Sequence, residues 1–505
     1  MKTPESPTGA AQHGLGKRAA RGAAVTIAGQ GGRILLQVVS VVVLARLLSP
    51  HDYGLVAMVL AIIGIGEVFR DFGLSSAAVQ APTLSRGQRD NLFWINTGLG
   101  VALAGLVFLF APLIAALYGE PELELLARVL AVTFVLNGLT TQYRADRNRN
   151  LRFTVLAVSD IVAALVGLGV ALVTAIAGWG YWALAAQQLA QGIIGLIILA
   201  SSARWIPHLP DRTAPMRPLL SFGGNLVASQ LIGYITNNVD SVIIGVRLGA
   251  APLGIYNRGF QLLMQPLGQL RAPTTSVALP VLSRLSADPT RYGAFVIRGQ
   301  QALGYTLVAG LSVAIAAAEP LTALLLGSQW SDVPPILRLL AIAGIFQTLA
   351  YVGYWVYLSR GLTGDLLRYT MVTSVLRITC ILVGSTWGLV GVAAGYAIGP
   401  ALAWPISLFW LSRRTELPLR ALVTGACRML TVAAISSALG WLCSWQLAHA
   451  GSVVQLAATV GVVVVVYALA GLIVRPVRRD LTAVIDIARM LPAARRSRGD
   501  GRADG

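Results

Sequence analysis

An all-α, polytopic membrane protein of about fourteen transmembrane helices is the fold class this sequence predicts, on three observations. Apolar runs long enough to cross a bilayer recur along nearly the whole chain. Only 12% of the 505 residues are charged, against roughly 25% in ordinary soluble proteins. Arginines gather in alternate gaps between the runs, which is the pattern of cytoplasmic loops.

A helix crosses the hydrocarbon in about 20 apolar residues. The first six runs of that length are 22–47, 54–78, 92–118, 123–144, 153–177 and 180–202, an expected N-lobe over 22–202. A cytoplasmic linker, 203–218, follows. The next six, 219–246, 253–277, 293–318, 333–357, 367–386 and 388–412, form an expected C-lobe over 219–412. Two further runs, 421–446 and 452–474, place a helix pair within 413–474. Basic tails, 1–21 and 475–505, flank the whole, and 481–491 reads either as an amphipathic interfacial segment or as part of a disordered positive tail.

The formal charge of +18 is explained by topology. Lys2, Lys17, Arg18 and Arg21 precede the first run, and Arg144, Arg147, Arg149 and Arg152 fill the fourth gap. Glu120, Glu122, Glu124, Glu319 and Asp332 occupy gaps of the opposite parity. Both termini are therefore expected in the cytoplasm.

Several chemistries are excluded or disfavoured. No lysine follows Lys17, so a Gly-x-x-x-x-Gly-Lys phosphate loop is absent. Cys380, Cys427 and Cys443 show no metal or disulfide spacing. There is no Asp-x-Asp, and no long loop to house a glycan-building centre. The expectation is a protein that is not an enzyme, holds no metal and needs no cofactor.

One internal repeat is visible. Ser40–Leu47 aligns with Ser241–Leu248 at an offset of 201, with four identities, and Gly54 then answers to Gly254. Six helices separate the copies, so both enter the membrane in the same direction, as parallel repeats about a pseudo-two-fold axis. Gly391, Gly395 and Gly399 form a small-residue stripe suited to close helix packing.

Ionisable groups inside the spans are functional candidates because burying them costs several kilocalories per mole. They are Arg33, Glu67, Arg70, Asp71, Asp160, Asp240, Arg258, Arg271 and Arg377, with Asn237 and Asn238 as polar neighbours. Equal depth makes Arg33–Glu67 and Asp240–Arg258 candidate ion pairs, which is the plain structural alternative. Arg271 is expected to snorkel to the interface. Arg377, with no evident partner, is the foremost candidate for binding an anion. Glu67, Asp71, Asp160 and Asp240 could carry a proton or sodium ion for coupling.

Three stretches of the first half go further: Ala45–Ala57 (ARLLSPHDYGLVA), Asp71–Gln80 (DFGLSSAAVQ) and Leu92–Asn96 (LFWIN). In the second half Asp240–Gly245, Gly254–Arg258 and Pro280–Leu285 do the same. Together they resemble Wzx-like bacterial polysaccharide flippases of the multidrug/oligosaccharidyl-lipid/polysaccharide superfamily, over roughly 20–475. The resemblance implies two six-helix lobes with two extra helices, and alternating access. It implies an undecaprenyl-diphosphate-linked oligosaccharide as cargo, with polymerase and glycosyltransferases of the same pathway as partners. It also implies that Arg33, Arg70 and Arg258 hold the diphosphate; Arg377 has no counterpart to be asserted. A lipid II flippase is the near alternative. A multidrug cation antiporter is more distant, because it would want an acidic cavity, and a membrane glycosyltransferase or polymerase is a fourth reading.

Overall fold

A computed structural model describes residue 29 and residues 31–71, 84–203 and 205–480; the side chains of 67–71, 217–230 and 232 lie outside that description. Among the described residues there are helices and turns and no strand. Contacts divide the chain into two units, 1–254 and 255–505.

In the first unit, α1 (Gly31–Ala45) and α2 (Pro50–Asp71) precede α3 (Arg86–Tyr118), α4 (Glu122–Arg149), α5 (Phe153–Ile176), α6 (Trp182–Ser201) and α7 (Arg217–Leu248). Ser85 caps α3 in a reciprocal box with Gln88, which satisfies two of the amides every helix start leaves orphaned. Gly119, in the left-handed region at φ 71°, ends it. α7 packs against α2. α8 (Ala250–Arg284) begins in this unit and runs into the second.

The repeat read in the sequence has a physical counterpart where α8 starts. A Cβ on Gly54 would overlap the Ala250 carbonyl, and a Cβ on Gly254 would overlap the Pro50 carbonyl. The contact is reciprocal at an offset of 200, and it closes only because both positions lack a side chain. Gly64 does similar service for Tyr234, whose hydroxyl reaches the Leu60 and Ala61 carbonyls at 3.3 and 3.2 Å.

The stretch expected as a linker is tied down. The Trp205 indole donates to the buried Asp90 carboxylate at 2.8 Å. The Asn91 amide donates to the Asp211 carbonyl at 2.6 Å and accepts from its N–H at 2.8 Å. Arg89 stacks 4.5 Å over Trp205 and pairs with Asp146 at 3.2 Å. Thr213 donates its hydroxyl (2.6 Å) and its amide (2.9 Å) to Asp211, and these bonds hold the carboxyl below the ordinary carboxylate range. A depressed folded-state pKa stabilises above the unfolded value and is lost as pH falls through the folded one. Limited proteolysis within 205–216 should therefore be unchanged from neutral pH down to about pH 4, and accelerate below it. Equal cleavage rates at pH 7 and pH 3 would contradict this latch.

In the second unit, α9 (Pro289–Ala316), α10 (Val333–Ser359), α11 (Thr363–Gly384), α12 (Gly388–Ser412), α13 (Leu419–Gln446) and α14 (Ser452–Ile473) follow α8. Asp288 caps α9 through the Arg291 amide. The run read as one span over 293–318 ends in an elbow, because a short helix, Ala318–Leu325, bends from α9 by 81°. Arg338 braces it, donating to the Ile315 carbonyl at 3.2 Å and to Glu319. Trp330, fully buried, lies just beyond. Backbones of α11 and α12 touch at Gly384, Gly391 and Gly395, where added Cβ atoms would meet carbonyl groups.

The fourteen helices α1–α14 follow the expected order. Among the described residues eight helical stretches are long and apolar enough to cross a membrane by composition, α11 and α12 counting as one, with the α9 elbow pair as a ninth. α8 is not among them; it carries Arg258, Arg271 and three prolines. Its polarity marks it as something other than a lipid-facing rod.

Candidate functional site: an arginine-lined cavity in the first unit

The first unit encloses a cavity of about 510 Å³ lined by residues of α1, α2, α4, α5, α6 and α7. That is the size range of pockets for small ligands. Among the described residues its charged groups are Arg33, Arg144 and Asp160, and amides and hydroxyls such as Asn137, Gln188, Gln191 and Thr140 add further polarity. Gly167 on α5 leaves the room that the Gln191 side chain occupies.

Arg144 grips both oxygens of Asp160, one contact being 3.4 Å. Arg33 reaches the same carboxylate from α1 at 3.9 Å. Both arginines are open to the cavity, with side chains 58% and 46% exposed, and Asp160 less so at 24%. Among the described side chains two guanidiniums share one carboxylate, an excess of positive charge in a polar, partly enclosed space. Such a site suits an oxyanion, since the guanidinium fork matches two oxygens at once.

The expected partner of Arg33, Glu67, has its side chain outside the description, as do Arg70 and Asp71; the partner seen is Asp160. Arg144, the last residue of an expected span and the first arginine of an expected gap, lies within α4, which continues through Arg149, and lines the cavity.

In α7, Asp240 is buried and accepts the Ser241 amide at 2.9 Å. Asn238 donates to the Tyr234 carbonyl at 2.9 Å, and Asn237 is exposed. Arg258 is buried in the second unit.

The second unit has its own basic network. Arg271 does not snorkel: it is only 9% exposed, stacks 5.5 Å over Tyr351 and donates to Gln347 at 3.2 Å. Gln347 also donates to the Tyr396 hydroxyl at 3.4 Å, and Arg377 lies 4.4 Å over the Tyr396 ring. Aromatic faces and amides thus receive both cations. Arg377 and Arg271, separate candidates in the sequence, are joined through Gln347 and Tyr396. Only their placement on facing helices shows it.

Comparison with known proteins follows the same direction. The family model described as "Polysaccharide biosynthesis protein" matches residues 43–335, more than half the chain. The lipopolysaccharide biosynthesis protein WzxC of Escherichia coli (strain K12) is 25% identical over 381 residues, covering 74% of this chain and 77% of WzxC. The succinoglycan biosynthesis transport protein ExoT of Rhizobium meliloti (strain 1021) is 26% identical over 329 residues, covering 65% of this chain and 66% of ExoT. Among solved structures, the lipid II flippase MurJ in an inward closed conformation is similar with a TM-score of 0.67, at 14% identity, over 88% of this chain and 98% of MurJ. That likeness is one of fold. A fourteen-helix membrane architecture, a repeat made physical at Gly54 and Gly254, and a family match across both place this chain in the polysaccharide biosynthesis protein family.

Proposed function

We propose that the protein is a flippase that moves undecaprenyl-diphosphate-linked oligosaccharide units from the cytoplasmic to the periplasmic face of the bacterial inner membrane. The product serves exopolysaccharide, capsule or O-antigen synthesis, and the mechanism is alternating access. The observation that carries this reading is the cavity in which Arg33 and Arg144 share Asp160. Its described side chains carry more positive than negative charge, where a cationic-drug antiporter would need an acidic cavity, and its amides and hydroxyls suit sugar hydroxyl groups. The relatives named for lipopolysaccharide biosynthesis and for succinoglycan transport support the choice of cargo.

Both termini face the cytoplasm in this scheme, following the arginine-rich gaps. The protein acts as a transporter rather than an enzyme, alongside the polymerase and glycosyltransferases of its pathway. Arg70 is a further candidate diphosphate ligand, Arg258 and Arg377 are candidate anion-binding groups of the second unit, and Asn237 and Asn238 are candidates for polar contacts. Glu67, Asp71, Asp160 and Asp240 are the groups through which a proton or sodium gradient would act.

The deciding experiment is reconstitution in vesicles with lipid-linked glycans, scoring access of an external glycan-cleaving enzyme. Cargo protected in empty vesicles should become cleavable, or the reverse, only when the protein is present. Depletion in cells separates the second reading, a lipid II flippase. Loss of surface glycan with intact walls supports the proposal, and lysis replaces it. Sensitivity to cationic drugs with normal surface glycan would replace it with an antiporter.

A further inference from the structure

We infer that Asp160 is an internal counter-ion that the diphosphate of the cargo displaces, and that Arg144 is the diphosphate-binding group it vacates. The identity of the anion rests on the flippase reading. The exchange itself rests on the geometry of the cavity.

The arrangement differs from an ion pair kept for stability. Arg147 pairs with Asp146 at 3.1 Å with side chains only 3% and 10% exposed, sealed in the first unit. Arg144 and Arg33 are 46% and 58% exposed, and they line an open volume large enough for a ligand. A pair whose cations face a cavity can change anions without exposing a core.

The geometry of the pair describes the anion that would replace it. Arg144 holds both carboxylate oxygens, a two-oxygen grip that the non-bridging oxygens of a phosphate reproduce. Arg33, at 3.9 Å, is beyond hydrogen-bonding distance from the carboxylate it faces. As placed here, the carboxylate that Arg144 holds does not also hydrogen-bond Arg33. Two linked phosphates offer more acceptor oxygens over a longer span, and they bring at least two negative charges in place of one. Asn137, Gln188 and Gln191 offer neutral donors beside them.

The opposing charge then has a definite sign of effect. Asp160 competes with the ligand for Arg144, so it weakens binding and returns to the arginine as the ligand leaves. Its removal should strengthen binding. A carboxylate that served only to hold the cavity together would do the opposite.

The test measures binding of farnesyl diphosphate to the purified full-length protein in detergent micelles. Asp160→Asn is expected to lower Kd about tenfold, which corresponds to ~1.4 kcal/mol. Arg144→Gln should raise it by about the same factor, and the double variant should lose the gain, because the competitor and its target are then both gone. Inorganic pyrophosphate should compete, and phosphatidylglycerol should not. A folded Asp160→Asn protein that binds equally or more weakly overturns the inference. If that variant fails to fold, Asp160→Ser carries the same expectation. Phosphatidylglycerol competing as well as pyrophosphate would make this a site for ordinary lipid headgroups and overturn the diphosphate assignment. The flippase reading fails separately, when the wild type binds the diphosphate yet its depletion leaves surface glycan unchanged.

Discussion

Replacing Gly54 with alanine is expected to destabilise the protein by about 2–3 kcal/mol, even though alanine is the better helix former. The new methyl would overlap the Ala250 carbonyl. A carbonyl in the first turn of a helix cannot rotate away as a side chain would, so α2 and the start of α8 must part. Gly254→Ala should cost a similar amount, because its methyl would overlap the Pro50 carbonyl. Gly98 is the control: it lies inside α3, with nothing near its missing Cβ. Gly98→Ala should be neutral or stabilising by about 0.5–1 kcal/mol. Thermal melting of the three purified variants reads the contrast. One substitution made at three helical glycines should give two losses and no loss. Three equal melting points would show that the contact between α2 and α8 contributes nothing.

Asp480→Ala is the second large effect. The Asp480 side chain is 6% exposed and accepts from Gln301 at 2.6 Å, Tyr305 at 3.3 Å and Arg428 at 2.9 Å. Val477 is buried in the same cluster as Tyr305 and Met429. The segment after α14 is thus pinned onto α9 and α13. Removing one partner of a buried ion pair costs about 3–5 kcal/mol, and the 32% exposure of Arg428 brings the expectation to about 2–3 kcal/mol. Asp480→Asn keeps an acceptor and should lose less. Asp480→Leu combined with Arg428→Met should recover much of the loss, since no charge is then stranded. A double variant no better than Asp480→Ala would mean that shape, rather than charge, holds the segment.

The residues that the sequence alone places well are those whose role depends on depth. Apolar run length gave the order of the fourteen helices. The aligned glycines Gly54 and Gly254 turn out to meet at a reciprocal contact that the alignment itself did not announce. What stayed hidden depends on direction around a helix axis or on partners far along the chain. Arg144 sits at the edge of an arginine-rich gap, and only the packing of α4 beside α5 shows that it meets Asp160. Arg271 lies close enough to the end of its expected span, 253–277, to snorkel, yet α8 continues to Arg284, and Tyr351 and Gln347, some eighty residues away, provide a buried seat. The elbow after Ala316 falls just before Glu319 and Pro320, which mark a break in the apolar run but say nothing of its 81° angle. The 203–218 stretch reads as a polar connector because its partners, Asp90 and Asn91, belong to another helix.

The boundary between the two packing units falls at Gly254 and Ile255, within α8 rather than in a loop. A gene cut to follow the packing would sever a helix within its first two turns and leave Gly254 on a frayed end, away from the rest of its rod. A cut at the sequence-repeat boundary would open the stretch held by Trp205 and Asp211 instead. Neither site offers the loose, exposed connector at which split or circularly permuted proteins usually reassemble. The two halves of this chain carry one short matching stretch, but they are expected to resist being expressed as two polypeptides.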